Sequence, residues 1–337
     1  MLATLLLTVA CGGGASSNNQ AGGQATLRLG YFANVTHAGA VYGVGSGLFQ
    51  KSLGGTKLQT QVFNAGPAEV EALFAGSLDA AFIGPSPAIN AFVKSKGDAI
   101  RIVAGATSGG ASLVVKPTIT DASKLKGKTI ADPQTGGTQD IALRTWLAGK
   151  GYTVDARGAG DVNIQSQDNA TTLQAFQAGQ VDGAWVPEPW ASRLVLDGRG
   201  TVLVDEKDLW PAGKFVTTVL VVRREFLAAH PDVVTALLEG QKAADAAITA
   251  DLPAAATLVN TQLKALTGKA LAQPVLDRAF AQITLTQDPI ASSLKTQAEH
   301  AFATGLVKKG PLQGIYDLTL LDRVLGTTVD DAGLGKG

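Results

Sequence analysis

Hydrophobic and polar positions alternate along this chain in two ways that indicate a mixed α/β protein. Short apolar or alternating runs predict strands, and longer runs with apolar residues three or four positions apart predict helices. The two kinds of run follow each other through the first two thirds of the chain. The predicted strands are Ala25–Gly30, Lys57–Phe63, Ala80–Ile83, Ile100–Ala106, Thr129–Ala131, Asp161–Gln165 and Val216–Val222.

One helix–turn–strand unit occurs twice. LFAGSLDAAF at residues 73–82 resembles FQAGQVDGAW at residues 176–185, and Gly76 aligns with Gly179 at a spacing of 103 (179 − 76). In each copy a helix ends at the glycine, which adopts the left-handed cap conformation easily. An aspartate, a short apolar strand and a proline-containing loop follow. Two copies at this spacing predict two similar α/β lobes, and ligands of such sheets bind at the carboxyl ends of the strands.

The helical segments outside the repeat indicate packing rather than chemistry. Ala38–Phe49 is predicted as one helix, and its glycines at 43, 45 and 47 lack the strand-to-helix context of a dinucleotide loop. We expect them to permit close helix packing. The last third of the chain predicts four or five helices that complete one lobe, near Pro231–Ala250, Pro253–Leu266, Ala270–Ile283, Ile290–Val307 and Leu312–Leu325.

Composition narrows the class of protein. The 337 residues are 45% hydrophobic and 17% charged, which suffices for a two-lobed body with a large core. Lys and Arg number 28 and so do Asp and Glu, so the charge balance gives no indication of nucleic-acid binding.

The single cysteine, Cys11, follows the apolar run MLATLLLTVA and precedes GGGASSNNQAGGQA. The run is too short to span a bilayer and has the length of the apolar region of a secretory signal. Cys11 in this place resembles the lipidated first residue of a bacterial lipoprotein, and residues 1–25 then form a signal and a flexible tether. The alternative is an ordinary cysteine. With no second cysteine in the chain, no internal disulfide and no cysteine-based metal site is expected.

A glycine-rich turn, DPQTGGTQD at residues 132–140, lies between a predicted strand and a predicted helix. Free backbone N–H groups and the positive end of the helix dipole make such a turn suited to an anion or a polar ligand. Thr138 at the helix start either contributes its hydroxyl to binding such a ligand or acts only as an N-cap.

Several of these segments together resemble a known family. YFANVTHAGAV, AGSLDAAFIG, KGKTIADPQTGGTQD, AGQVDGAWVPEPWAS and VLVVRREFLAAHPDVV are similar to segments of the solute-binding proteins of ABC importers for aliphatic sulfonates, taurine and nitrate. This family is related to the binders of thiamine pyrimidine precursors. The resemblance covers roughly residues 26–260. It implies the type II periplasmic-binding-protein fold, in which two α/β lobes joined by a two-strand hinge close on a ligand.

The resemblance also implies the organisation of the chain. Residues 26–108 with 216–337 would form lobe I, and residues 109–215 would form lobe II. We expect a monomeric, extracytoplasmic receptor that is tethered to the membrane by lipid alone and delivers its ligand to an ABC permease. No cofactor, metal, nucleic acid or catalysis is expected.

The expected ligand contacts lie on loops at strand ends. They are Asn34, Thr36, His37, Ser86, Ser108, Gly110 and Ala111, together with Gly137, Thr138, Gln139, Trp185 and Glu188.

Three of these roles remain open from the sequence. Trp185 either walls the ligand or packs in the core as Phe82 would. Glu188, held between two prolines, is expected to be exposed and either contacts the ligand or lies in a solvated turn. His37 either donates to an anionic ligand or caps the following helix, whereas His230 and His300 are expected to be structural or on the surface.

The ligand class also has alternatives. A sulfonate or nitrate requires hydrogen-bond donors, and Arg144 and Arg193 lie one helical turn from the loops. If Glu188 faces the ligand, an amine such as taurine or a pyrimidine is favoured. A pyrimidine-synthesising enzyme of the same fold would require a denser set of nucleophiles or metal ligands. A transcription regulator with this fold would require a DNA-binding module.

Overall fold

A computed structural model describes residues 25–335, and the predicted Cys11 anchor lies outside that range. The chain forms two β-sheets with helices packed on them. Lobe I is built on a six-stranded sheet in the order β11-β4-β10-β3-β1-β2. Its strands are β1 (Thr26–Phe32), β2 (Lys57–Phe63), β3 (Ala80–Ile83), β4 (Ile100–Gly109), β10 (Val216–Arg223) and β11 (Ile283–Leu285).

Lobe II is built on a five-stranded sheet in the order β7-β6-β8-β5-β9. Its strands are β5 (Ala111–Val115), β6 (Thr129–Asp132), β7 (Asn163–Ser166), β8 (Gly183–Pro187) and β9 (Thr201–Asp205). Both sheets have the same plan. In lobe I, β1 is parallel to β2 and β3, and β10 is antiparallel to β3. In lobe II, β6 is parallel to β7 and β8, and β5 is antiparallel to β8.

Helices cover the faces of both sheets. Lobe I contains α1 (Ala38–Gly45), α2 (Leu48–Leu53), α3 (Gly66–Phe74), α4 (Pro85–Lys94), α8 (Arg224–Ala229), α9 (Pro231–Ala250), α10 (Leu252–Thr267), α11 (Gln273–Ala281), α12 (Ala291–Ala303) and α13 (Thr319–Leu325). Lobe II contains α5 (Thr138–Gly149), α6 (Asn169–Gln177) and α7 (Trp190–Leu196). None of the helices in residues 25–335 is long and apolar enough to cross a membrane.

The sequence repeat is a structural repeat. The caps of α3 and α6 are the same, since Gly76 (φ 67°) and Gly179 (φ 76°) are both left-handed. The aspartate three residues after each glycine holds the start of the neighbouring strand: the Asp79 carboxylate accepts from Arg28 N at 2.9 Å, and that of Asp182 accepts from Thr129 N at 2.9 Å. The aspartate therefore joins the helix cap to the sheet in both lobes.

The chain crosses between the lobes twice, as the family resemblance implied. It passes from β4 to β5 through Gly109 and Gly110, and it returns through residues 206–215 between β9 and β10. Gly110 has a φ of 77°, and a Cβ there would lie 2.5 Å from Ile283 Cγ2. Only glycine fits this crossing. The helices of lobe I also touch lobe II, because α11 packs on α7 and α12 on α5.

Several elements differ in detail from the prediction, and the last predicted helix, Leu312–Leu325, is helical only over α13. The helix predicted over residues 38–49 is two helices, since Gly47 takes a left-handed φ of 76° between α1 and α2. Gly43 and Gly45 do allow close packing, because a Cβ at either would lie within 2.4 Å of Phe49 or Gln262. Strands β5 and β9 were not predicted, and neither was β11. It pairs with Thr107–Gly109 of β4 over three residues, too few to show a strand pattern.

Candidate functional site

A small cavity lies between the carboxyl ends of the strands of both lobes. Its volume is about 30 Å³, the space of one or two water molecules. Loops at the strand ends and the first turns of four helices surround it, and strand β10 contributes Thr217 and Thr218. The lining consists of Phe32, Asn34, Thr36, His37, Asn64, Ala65, Gly66, Gly84, Pro87, Pro133, Gly137, Thr138, Gln139, Asn169, Pro187, Thr217 and Thr218.

Four helices begin at this cavity, two from each lobe. Gly66 and Gly84 stand at the starts of α3 and α4 in lobe I, while Gly137 and Asn169 stand at the starts of α5 and α6 in lobe II. No side chain caps any of these four N-termini. The first N–H groups of a helix have no partner within it and carry the positive end of its dipole. The starts of α5 and α6 present such groups at the cavity, whereas Pro67 in α3 and Pro85 and Pro87 in α4 have no N–H and leave fewer donors there.

The lining within residues 25–335 includes no Lys, Arg, Asp or Glu. Three asparagines, four threonines, Gln139 and His37 supply its polar side chains. Two of these groups are buried without a hydrogen-bond partner, namely Thr138 Oγ1 and Asn169 Oδ1. Buried polar atoms normally have partners, so these two atoms are available to a ligand.

His37 is buried and neutral. Its Nδ1 accepts from Phe32 N at 3.3 Å, and its ring lies 4.3 Å from that of Phe32 between centroids. Burial lowers the pKa of His37 to about 3. Because Nδ1 is the acceptor, the proton of the neutral ring is on Nε2. His37 is thus an uncharged residue of the lining whose remaining donor is the Nε2–H group.

The glycine-rich turn is held in place by two buried charged residues behind it. Asp140 accepts from Gly136 N at 2.7 Å and from Arg144 Nε at 2.6 Å. Arg144 also donates to Asp155 O at 2.7 Å. Arg144 is thereby committed to the loop and does not reach the cavity. Burial and the nearby Asp140 charge raise the pKa of Asp132, at the first position of the turn, to about 7.

The lobes are in contact around the cavity, so this is a closed form. Trp190 Nε1 of lobe II donates to Asn34 Oδ1 of lobe I at 2.9 Å. Thr36 N donates to Glu188 O at 3.4 Å. Gly84 faces Thr138 so closely that a Cβ on Gly84 would lie 2.3 Å from Thr138 Oγ1. Closure brings backbone and side chains of both lobes within hydrogen-bonding distance.

Six of the residues expected to contact a ligand line the cavity: Asn34, Thr36, His37, Gly137, Thr138 and Gln139. Ser86, Ser108, Gly110 and Ala111 are not part of the lining. Ser86 is buried in the first turn of α4, and the other three form the first crossing. They support the site from behind.

Trp185 lies in the core of lobe II rather than at the cavity. Its side chain is fully buried, and its ring is 6.1 Å from that of Trp146. Its Nε1 donates to Glu206 Oε2 at 2.8 Å. Of the two interpretations of Trp185, the structure supports the core.

The expectation that Glu188 is exposed was wrong. Glu188 is 1% exposed, and its Oε2 accepts from Ser192 N at 3.0 Å in the first turn of α7. Its backbone N donates to Gly110 O at 2.8 Å. Burial raises the pKa of its carboxyl. Glu188 supports the start of α7 and the crossing, and it does not line the cavity.

Sequence analysis missed several lining residues. Asn64 and Asn169 stand just before or at the start of the two repeat helices, and Thr217 and Thr218 are the only polar residues in the apolar run of β10 before Arg223. A pair of threonines in a buried strand was the available signal. Among the described residues no cluster of His, Cys, Asp and Glu could hold a metal ion.

The fold and this site together define a two-lobed binding protein that encloses a small ligand at its hinge. The chain belongs to the NMT1-like family, whose model matches residues 20–262. This confirms the resemblance seen in the sequence.

Relatives of known function agree with that class. The taurine-binding periplasmic protein of Escherichia coli K12 is 31% identical over 191 residues, which is 56% of each chain. The alkanesulfonate-binding protein SsuA of Xanthomonas axonopodis pv. citri, bound to MOPS, superposes with a TM-score of 0.70 at 24% identity and covers 85% of this chain and 95% of SsuA. The periplasmic nitrate-binding protein NrtA of Synechocystis PCC 6803 gives a TM-score of 0.72 at 17% identity over 90% of this chain and 85% of NrtA. All three are binding proteins.

Proposed function

We propose that this protein is the extracytoplasmic receptor of an ABC importer and that it binds a small oxyanion of the sulfonate, taurine or nitrate class. The observation that carries the proposal is the convergence of four uncapped helix N-termini on a cavity without charged side chains. Relatives that bind taurine and an alkanesulfonate support the same class.

The site suits an anion even though no arginine lines it. Each helix N-terminus carries roughly half a positive charge. The dipoles of four termini act together, and the N–H groups that Pro67, Pro85 and Pro87 leave in the first turns of these helices would serve as donors for the oxygens of a sulfonate or nitrate group. The amides of Asn34 and Asn64 and the Nε2–H of His37 would add to them. A carboxylate near the ligand was the reason to consider an amine or a pyrimidine. Glu188 does not line the cavity, so the structure favours the anion.

Binding would proceed by closure of the two lobes. We propose that residues 26–108 with 216–337 move against residues 109–215 about the two crossings. The hydrogen-bond donors for the ligand come from both lobes of the protein. The ligand therefore binds the closed form better than the open form and favours closure. We assign direct contact to Asn34, Thr36, His37, Gly137, Thr138 and Gln139.

The sequence around Cys11 supports a proposal for the cellular setting. We propose that Cys11 is lipidated, that the protein is a monomer tethered outside the cytoplasm, and that an ABC permease is its partner. The protein would release its ligand unchanged, with no cofactor and no catalysis. Replacing Cys11 by alanine should release the mature protein from the membrane fraction.

Calorimetry with methanesulfonate, taurine, nitrate and a thiamine-precursor pyrimidine tests the ligand class. We expect at least one of the anions to bind saturably and to be recovered from the protein chemically unchanged. Thr138→Val should weaken that binding because the buried hydroxyl has no partner within the described protein. Thr257→Val on the surface of α10 is the control and should change nothing. If only the pyrimidine bound, the protein would be a receptor for a thiamine precursor instead. If no compound gave a calorimetric signal, the assignment of the ligand class would be refuted.

A further inference from the structure

Helix α11 of lobe I is buried on two sides. On one side Leu276, Ala279 and Phe280 belong to the hydrophobic core of lobe I. On the other side α11 packs on α7 of lobe II. Val275 is 2% exposed but lies outside that core, and it lines a groove between the lobes together with Trp190 of α7. Helix α11 is therefore anchored in one lobe and in contact with the other.

The side of α11 that meets lobe II continues toward its carboxyl end. Arg278 and Gln282 follow Val275 at spacings of three and four residues, so the three positions share one face of the helix. Gln282 Oε1 accepts from Lys207 Nζ of lobe II at 3.5 Å. Arg278 lies near Glu188 of lobe II, because its charge favours the ionised form of that carboxyl. One apolar, one charged and one polar side chain of this face thus act across the lobes.

Arg278 is the cation that acts on Glu188. Burial raises the pKa of the Glu188 carboxyl, the bonds from Ser192 and the charge of Arg278 oppose that rise, and the charge of Asp205 adds to it. Asp205 is paired with Lys207 of its own lobe at 2.8 Å, whereas Arg278 reaches Glu188 from the other lobe. The Nε of Arg278 is buried. Exclusion of water strengthens the attraction between the two charges.

Glu188 connects this charge to the cavity. Its carboxylate accepts from Ser192 N at 3.0 Å in the first turn of α7. Its carbonyl oxygen accepts from Thr36 N of the cavity lining at 3.4 Å. The same turn of α7 carries Trp190, whose indole donates to Asn34 across the lobes. The position of Glu188 therefore affects two lobe-to-lobe hydrogen bonds beside the cavity.

From these observations we propose that Arg278 is a positioning residue that holds the lobes closed by attracting Glu188. Arg278 does not line the cavity. Separation of the lobes would draw the two charges apart, so their attraction stabilises only the closed form. Arg278 then sets how long an anion stays bound without touching it. The inference rests on the proposed function, since it requires that the closed form retains the ligand.

Replacement of Arg278 tests this role, with methanesulfonate, taurine and nitrate as probes in calorimetry and stopped-flow fluorescence at pH 8. We expect Arg278→Gln to bind about five- to tenfold more weakly, mainly through faster dissociation, because a less stable closed form opens sooner. Arg278→Lys keeps the charge and should bind within about twofold of wild type. Arg323→Gln is the matched control, because Arg323 is exposed on α13, which packs on α9 within lobe I.

A double-mutant cycle separates the attraction from a contribution to folding. Glu188→Gln removes the charge of the partner, so in that background Arg278→Gln should cost less than about twofold in affinity. The melting temperature of ligand-free Arg278→Gln should stay within about 2 °C of wild type.

Three results would overturn the role of Arg278 and leave the proposed function intact. They are an unchanged affinity in Arg278→Gln, an equal loss with and without the Glu188 carboxylate, and a loss that Arg278→Lys does not restore and that accompanies a large fall in melting temperature. Failure of all three probes to bind the wild type would instead refute the proposed function, and the inference with it.

Discussion

Two tryptophans five residues apart have opposite environments, and substitution of each separates the core from the cleft. Trp185 is fully buried and bonded to Glu206, whereas Trp190 lies at the groove and is bonded to Asn34 across the lobes. Removal of a fully buried tryptophan side chain costs about 3–5 kcal/mol. Trp185→Ala should therefore lower the melting temperature of the ligand-free protein by roughly 10 °C.

Calorimetric melting of both variants, followed by titration with a sulfonate, makes the comparison. Trp185→Phe should recover part of the loss, because a phenyl ring refills much of the space but leaves a smaller cavity and removes the hydrogen bond to Glu206. Trp190→Ala should behave in the opposite way, with a change of only a few degrees and binding at least about tenfold weaker, which corresponds to about 1.4 kcal/mol. If Trp185→Ala kept its melting temperature and lost binding, the placement of Trp185 in the core would be refuted.

Three further predictions concern closure and pH. Gly84→Ala should weaken ligand binding about tenfold, because the new Cβ meets Thr138 of the other lobe when the lobes close. The stability of the ligand-free protein should not change, since the contact forms only on closure. Gly55→Ala, with open space around its Cβ, is the control, and calorimetry measures both variants. Burial raises the pKa of Glu206 from 4.5 to about 7, so its contribution to stability is full below pH 4.5 and is lost as pH rises through 7. Urea denaturation at pH 5 and pH 8 measures the free energy of unfolding. Between these two pH values the wild type should lose about 2–3 kcal/mol more of it than Glu206→Gln, and equal losses would contradict this. Since the pKa of His37 is about 3, the titration of His37 should not change the sulfonate affinity between pH 5 and 8. A rise in affinity as the pH falls through 6.5, absent in His37→Gln, would instead show that His37 binds the ligand as a cation.

The sequence predicted the fold well because the fold depends on local patterns. The repeat at a spacing of 103 residues identified the left-handed Gly76 and Gly179 and the paired Asp79 and Asp182. These residues act within one turn and one neighbouring strand. Their chemistry can therefore be recognised from the order of residues alone.

The site was predicted in part, and the errors concern which way a side chain points. Trp185 and Trp190 both lie near the end of β8, and only the pairing of β8 with β5 decides that Trp185 faces the core. Glu188 between two prolines indicated an exposed turn. Its carboxylate instead accepts from Ser192 N in the first turn of α7, a local bond that satisfies one of the free N–H groups at the helix start. The sharing of the cavity by Asn64, Asn169 and Thr218 depends on long-range packing that no local pattern encodes.

The distribution of the four helix N-termini, two on each lobe, has a consequence for delivery to a transporter. An arginine on one lobe would bind an anion from that lobe alone, and this ion pair would have to break before the ligand could dissociate. Here the attraction is divided between α3 and α4 on one side and α5 and α6 on the other. In the proposed mechanism, separation of the lobes would withdraw the donors of one lobe from the anion in a single movement, so the opening that admits the ligand would also release it.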